Sequence, residues 1–376
     1  MVAETTLFID LEALAHNYRV LRQKINAGTK FLAVVKASTY GHAPGPIAQK
    51  LVDLGVDYFG VAYALEGAEL RAVEIDKPIL LLHPMAAHFE QILKHRLEPS
   101  LYSLPLMRQW IDFLESKNIT DYPVHLKFNS GLNRLGMALD EMPEIIKALK
   151  GSNALKVVSV FSHLGASDDL SAAEFTRNQI TQYEGFYTQF VEKMEEVNSG
   201  FVRPWQHLCN TSGVLNYPEA HFDMVRCGIG LYGYGNETKY DRLLRPVAQL
   251  KAPILQIHHL AAGQSIGYNH GFITTKPTVI ASLPLGHADG LHRIFGQQKG
   301  FVWINNQPAA IIGNVCMDML MVDVTQIDCQ AGDTAIIFDQ QHGAQNLAEA
   351  AGTISYELLT GLSKRIKRVI IPLRTH

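Results

Sequence analysis

Phe31-Leu-Ala-Val-Val-Lys36-Ala-Ser-Thr-Tyr40-Gly-His42 decides how this chain is read. An apolar run meets a lone lysine, and a tyrosine and a glycine follow within a turn. Burying an ammonium is costly, so a lysine closing a buried strand either surfaces into solvent or has work for its amine. In the second case burial lowers its proton affinity and makes it a nucleophile able to condense with a carbonyl.

Outward from Lys36, apolar runs that end near polar residues recur up to residue 229. The strand candidates are Phe31–Lys36, Tyr58–Ala62, Pro78–His83, Glu98–Tyr102, Val124–Phe128, Leu155–Ser162, Gln206–Cys209 and Met224–Ile229. Helical stretches such as Ile47–Leu54, Leu104–Ser116 and Glu141–Lys150 separate them. Such alternation argues for parallel strands covered by helices, and this many units suggest a closed (β/α)8 TIM-like barrel over residues 10–235. Barrel enzymes carry their reactive groups at the C-terminal strand ends, where Lys36, Lys127, His163, Asn210 and Arg226 fall. After Gly235 the segments are short, β-branched and punctuated by Gly, Pro and Asn (Thr278–Pro284, Gly300–Ile304, Ala309–Ile312, Leu320–Val324, Asp333–Ile337), with late helices expected at Ala344–Ala351 and Ser355–Lys364. Residues 236–376 thus read as a mainly β C-terminal domain.

The chain's 376 residues make two domains the natural expectation, and 47% hydrophobic residues describe a globular protein with a large core. A net charge of −3 offers no electrostatic footprint for nucleic acid or an anionic membrane. No apolar stretch is long enough to span a bilayer, and Glu4, Asp10 and Glu12 break any signal-peptide pattern. Cys209, Cys227, Cys316 and Cys329 have neither metal-like nor disulfide-like spacing. The expectation is a cytoplasmic protein with reduced thiols. His163 with Asp168 and Asp169 imitates a metal cluster, but aspartates at a helix start are better read as caps.

The Lys36 segment resembles the "VVKANAYGHG" signature of the alanine racemases, barrel-type (fold type III) enzymes dependent on pyridoxal 5'-phosphate, and further motifs extend the resemblance along the chain. Val124-His-Leu-Lys-Phe-Asn-Ser-Gly-Leu-Asn-Arg-Leu-Gly136 is similar to "VHLKIDTGMNRLG", His207-Leu-Cys-Asn-Thr-Ser212 to "HxANSA", and Met224–Gly233 to "MVRPGIALYG". In the β domain, Ile266–Phe272 lines up with "VSYGATY", Cys316-Met-Asp318 with "CMD", Ile354-Ser-Tyr-Glu357 with "ISYE" and Leu285–Gly290 with "GYADG". The chain departs from the pattern at Asn129-Ser130, Thr211 and His287, the last replacing a tyrosine that lines the substrate's access route.

The resemblance implies that Lys36 holds the cofactor covalently and that Arg226 faces its ring nitrogen, with His207 supporting the arginine. Asn210, Thr211 and Tyr356 match its phosphate end, Tyr40 matches a cofactor-binding residue, and Gly228 and Ile229 offer backbone N–H groups to a phosphate, since glycine allows close approach. Arg134 matches a contact of the cofactor phenolate and substrate carboxylate, and Lys127 a lysine often carbamylated. His163 matches a partner of the catalytic tyrosine, here Tyr268, and Met317 and Asp318 match residues near the substrate carboxylate. The strand Thr6–Ile9 is assigned to the β domain. The expected activity is racemisation of alanine by two bases, Lys36 on one face and the partner subunit's Tyr268 on the other, in a homodimer supplying D-alanine for peptidoglycan. The alternatives are a broad-specificity amino-acid racemase and a non-catalytic barrel carrying the same cofactor. A basic-amino-acid decarboxylase of this fold is disfavoured because those enzymes pair the ring nitrogen with an acid, where Arg226 stands here.

Overall fold

The computed structural model describes residues 2–371; the outermost residues of the two expected domain ranges, Met1 and 372–376, lie outside the described residues. Two compact units emerge, one of residues Ala15–Ala37 and Pro44–Leu244, the other of residues 2–14, Ser38–Ala43 and 245–371.

In the first unit β2 (Lys30–Val34), β3 (Tyr58–Val61), β4 (Ile79–Leu81), β5 (Glu98–Leu101), β6 (Tyr122–Lys127), β7 (Leu155–Phe161), β8 (Trp205–His207) and β9 (Met224–Cys227) form a closed barrel. Every pairing is parallel, and β9 returns to β2 with Lys30 opposite Met224. Strands buried on both faces need continuous apolar runs, and β3 and β4 are buried at every position. The covering helices present apolar stripes at helical spacing. Helix Leu104–Ser116 is capped by the Ser103 side chain, which accepts from the Leu106 N–H, and it buries Leu104, Met107, Trp110, Ile111 and Leu114. Trp110 packs against Phe89 and Tyr122 at centroid distances of 4.7 and 5.3 Å, and truncating such a residue costs about 3–5 kcal/mol. The strand ends differ from the sequence reading: β2 stops at Val34, and Lys36 opens the following turn. Asp169 caps a short 3-10 turn by accepting from the Ser171 N–H, so it is occupied as a cap.

In the second unit β1 (Thr6–Ile9), β10 (Ala248–Pro253), β11 (Gln256–Leu260), β14 (Thr278–Leu283), β15 (Phe301–Ile304), β16 (Gln307–Ile312), β17 (Leu320–Asp323), β18 (Thr334–Phe338) and β19 (Lys367–Ile370) form one sheet in the order β11-β14-β17-β16-β15-β18-β10-β1-β19. A small hairpin, β12 (Ser265–Ile266) with β13 (Phe272–Ile273), stands apart. β1 runs antiparallel to β10 and parallel to β19. Each of β14 to β18 turns apolar residues into the interior, among them Ile280, Val302, Ile311, Val322 and Ile337. The edge strand β11 exposes His258 and His259, a polar edge that discourages strand addition. The last helix is Ser355–Thr360, shorter than the sequence suggested, because Gly361 follows.

Candidate active site

Lys36 opens a turn, Lys36–Gly41, in which Ala37, Ser38, Thr39 and Tyr40 all have φ between 52° and 54°. Left-handed conformation costs an L-residue roughly 1–2 kcal/mol, so four in succession, none of them glycine, require strong external fixation. The buried ring of His42 supplies part of it, its Nδ1 donating toward the carbonyls of Thr39 (2.9 Å) and Tyr40 (2.8 Å). Burial pushes His42 down to about 4, which keeps the ring neutral for that role. Gly41 has φ 81°, and a Cβ there would lie 2.0 Å from the Leu359 carbonyl oxygen. Arg368 donates to the Gly41 carbonyl at 3.1 Å. On the barrel side, the Glu66 carboxylate accepts from the N–H groups of Ala37 (2.6 Å), Ala62 (2.7 Å) and Tyr63 (3.2 Å). Sequence reading missed Glu66, because the N-cap residue three positions before it is Tyr63 and not the serine or threonine that marks a capping box.

Four cations gather where the barrel strands end. Burial lowers the proton affinity of Lys36, and the charge of Arg134 lowers it further, while Glu66 raises it. Lys127, the last residue of β6, is buried and pushed down to about 8, by desolvation first and then by Arg134, Arg226 and Lys36. Arg226 is brought down to about 10 by burial, so it stays protonated near neutrality. Arg134 is exposed in the loop after β6. No salt bridge to any of these four is present among the described residues. His83, also missed by sequence reading, feels the same field: burial, Lys127, Lys36 and Arg134 depress its protonation.

Arg226 is held on several sides. One terminal nitrogen donates to His207 Nδ1 at 2.8 Å; the other shares its two hydrogens among the carbonyls of Ser162 (2.7 Å) and Leu208 (2.9 Å) and His163 Nδ1 at 3.1 Å. Desolvation and the Arg226 charge push His163 and His207 well below their ordinary values. The His207 ring stacks on Phe161 at 4.6 Å.

Beside this cluster the Thr211 hydroxyl accepts from the N–H groups of Gly228 (3.1 Å) and Gly230 (3.3 Å). A Cβ on Gly230 would meet the Thr211 methyl at 2.6 Å, so the glycine accommodates threonine where the family pattern has serine. Asn210 caps helix Thr211–Asn216 by accepting from the Gly213 N–H at 2.9 Å. Ile229 is buried at the start of the next 3-10 turn. Asn129 accepts from the N–H groups of Gly131 and Asn133 and donates to the Asn133 side chain, shaping the loop that carries Arg134.

The sheet unit brings together two further sets. Tyr40 and Tyr356 approach at 6.2 Å between centroids. Tyr268, Cys316, Met317 and Asp318 line a cavity of about 690 Å³. Tyr268 is 70% exposed and Met317 59% exposed. The Tyr268 backbone follows Gly267 (φ 74°), and Asn314 donates to its carbonyl. Asp318 pairs with Arg365 at 2.8 Å, which also grips Asp289 at 2.6 Å.

A site crowded with cations, including an amine of lowered proton affinity and a hydroxyl–amide cradle nearby, fits a ligand bearing anionic groups and a carbonyl. Comparison with known proteins agrees. The family descriptions "Alanine racemase, N-terminal domain" and "Alanine racemase, C-terminal domain" match residues 9–236 and 247–370. Alanine racemase 1 of Clostridium acetobutylicum is 33% identical, over 96% of this chain and 94% of that protein. Alanine racemase of Synechocystis sp. is 34% identical, over 96% of this chain and 98% of that one. Among solved structures, alanine racemase from Bartonella henselae with covalently bound pyridoxal phosphate superposes with TM-score 0.89 at 30% identity, covering 98% of this chain and 100% of that one. Alanine racemase from a D-cycloserine-producing Streptomyces lavendulae reaches TM-score 0.90 at 26% identity, covering 99% and 98%.

Proposed function

Because this chain belongs to the alanine racemase family, we propose that it interconverts L- and D-alanine with pyridoxal 5'-phosphate as its cofactor. The observation that carries the reading is Lys36: an amine of lowered proton affinity at a barrel strand end, amid Lys127, Arg134 and Arg226. In this reading Lys36 would hold the cofactor covalently, Arg226 would pair with its ring nitrogen, Asn210, Thr211, Gly228, Ile229 and Tyr356 would hold its phosphate, and Tyr40 would contact the cofactor. The cofactor, when bound, withdraws electrons from the substrate and acidifies its Cα–H. Everything else falls to the chain.

Inversion needs a proton removed from one face of Cα and another returned on the opposite face. Lys36 Nζ serves one face and Tyr268 Oη the other. Arg226 has only donors and stays charged, so it denies a proton to the acceptor facing it and limits how far negative charge drains from Cα. Arg134, Met317 and Asp318 position the substrate carboxylate. The Arg226 contact leaves His163 Nε2 as that ring's N–H, available to the tyrosine hydroxyl. A neutral Lys127 amine adds carbon dioxide and releases one proton to solvent, and the resulting carbamate anion pairs with Arg134. The working unit is a homodimer in which Tyr268 comes from the second copy; its exposure supports this arrangement.

Incubating the purified protein with the cofactor and each L-amino acid in turn, then resolving enantiomers, tests the reading. D-alanine should dominate. Comparable rates with larger amino acids would favour the broad-specificity reading, which the histidine at His287 supports by relieving the bulk of a tyrosine. No turnover alongside tight cofactor binding would favour the carrier reading.

A further inference from the structure

Five consecutive barrel strands each contribute one side chain to a hydrogen-bonded chain through the interior. From β9, Arg226 contacts His207 Nδ1 on β8 at 2.8 Å. His207 Nε2 contacts Ser159 Oγ on β7 at 2.7 Å, Ser159 Oγ contacts His125 Nδ1 on β6 at 2.6 Å, and His125 Nε2 contacts Glu98 Oε2 on β5 at 2.9 Å. Tyr58, on β3, donates its hydroxyl to the same Glu98 oxygen at 3.2 Å. His125, Ser159 and His207 are fully buried, and the Glu98 side chain is 13% exposed.

Proton bookkeeping makes this arrangement directional. Arginine only donates, so His207 Nδ1 must accept and its hydrogen must sit on Nε2. Ser159 accepts that hydrogen and passes its own to His125 Nδ1, which places the His125 hydrogen on Nε2, toward Glu98. A carboxylate only accepts, so the sequence ends there. A doubly protonated His125 would leave the Ser159 hydrogen without an acceptor among the described residues. The reversed tautomer of His207 would oppose its N–H to the arginine's, leaving buried donors unsatisfied.

We propose that Glu98, His125 and Ser159 are positioning residues that lock the His207 tautomer and, through it, the orientation of Arg226. Glu98 lies at the end of the barrel opposite Arg226's cluster and acts entirely through its neighbours. The consequence for turnover rests on the racemase reading above; the tautomer assignment does not.

The test begins with 15N NMR of the histidine rings in the unloaded protein. Hydrogen on Nε2 alone is expected at both His207 and His125. In Ser159→Ala, Arg226 still holds the hydrogen on Nε2, but that N–H loses its buried acceptor, so the His207 Nε2–H signal should shift and broaden; in Glu98→Gln both histidine Nε2–H signals should shift, His125 more than His207. Ser159→Thr keeps the hydroxyl and should restore the parent spectrum. In the loaded enzyme, Ser159→Ala should lower kcat by about tenfold to a hundredfold with KM little changed, by analogy with the outer partners of metal-ligating histidines, and Ser159→Thr should recover it. Hydrogen on His207 Nδ1 in the parent, an unchanged His207 spectrum in Ser159→Ala, or equal kcat losses in the alanine and threonine variants would overturn the proposal. Should the parent fail to racemise any amino acid, the racemase reading falls, and the ring spectra still decide the positioning chain.

Discussion

The barrel and the sheet unit prepare their reactive groups in opposite ways. Lys127 and Arg226 are buried in one chain, their proton affinities lowered first by desolvation and then by neighbouring cations, Arg134 in both cases. Tyr268 and Met317 stand out from the sheet unit, 70% and 59% exposed. The barrel groups are tuned by their own chain at a cost to its stability, whereas the sheet groups cost their own fold little. Changes in the first set should therefore alter stability and chemistry together, and changes in the second should alter chemistry alone.

The largest effect expected is at Lys36. Borohydride reduction of the loaded protein should fix a pyridoxyl label to this residue, and a label on another lysine would break the assignment. Lys36→Ala should lose at least about a thousandfold in racemisation, the scale of a general base removed along with the covalent attachment.

Tyr268→Ala sharpens the contrast. Activity should fall by about 10²–10⁴-fold, while the stability of the dissociated chain stays within about 0.5 kcal/mol, as for most exposed positions. Deuterium washout from Cα should slow for one enantiomer far more than for the other; equal slowing would show that Tyr268 is not a base for one face. Parent activity should also fall on dilution if a second copy supplies the tyrosine.

Lys127 tests the cost of burial. Its folded amine titrates near 8, against 10.5 for the unperturbed group. Between those values the unfolded chain binds a proton the folded chain lacks, so this group's contribution makes stability rise with pH across that window. In carbonate-free buffer, Lys127→Met should remove the slope and gain about 1–3 kcal/mol at pH 7, relieving a buried unpaired charge, while losing activity. Lys127→Ala should recover part of its activity with small carboxylates; a matching denaturation curve for parent and methionine variant would break the comparison. The smallest effect belongs to Asn129→Asp, which keeps both backbone N–H acceptors but loses the donor to Asn133. Thermal unfolding should show a cost below about 1 kcal/mol.

Much of the fold was legible. Parallel barrel strands must be apolar throughout, so runs such as Tyr58–Ala62 and Val124–Phe128 stood out, and Lys36 was conspicuous because it closed one of them. Other features left no such trace. Ala37-Ser-Thr-Tyr40 contains no glycine to announce a left-handed turn, because that conformation is imposed by His42, Glu66 and Arg368 from outside the turn. Glu98, His125 and Ser159 read singly as ordinary polar residues on strands.

The amino-acid sequence by itself determined the barrel, the β-rich second half and the family, because periodic burial and short motifs are local properties of the chain. Tertiary structure alone decided the left-handed turn, the lowered proton affinities around Lys127 and the alignment of Glu98, His125, Ser159, His207 and Arg226. Each of those depends on desolvation, Coulomb fields or hydrogen bonds between residues far apart in sequence, which come into being only once the barrel closes.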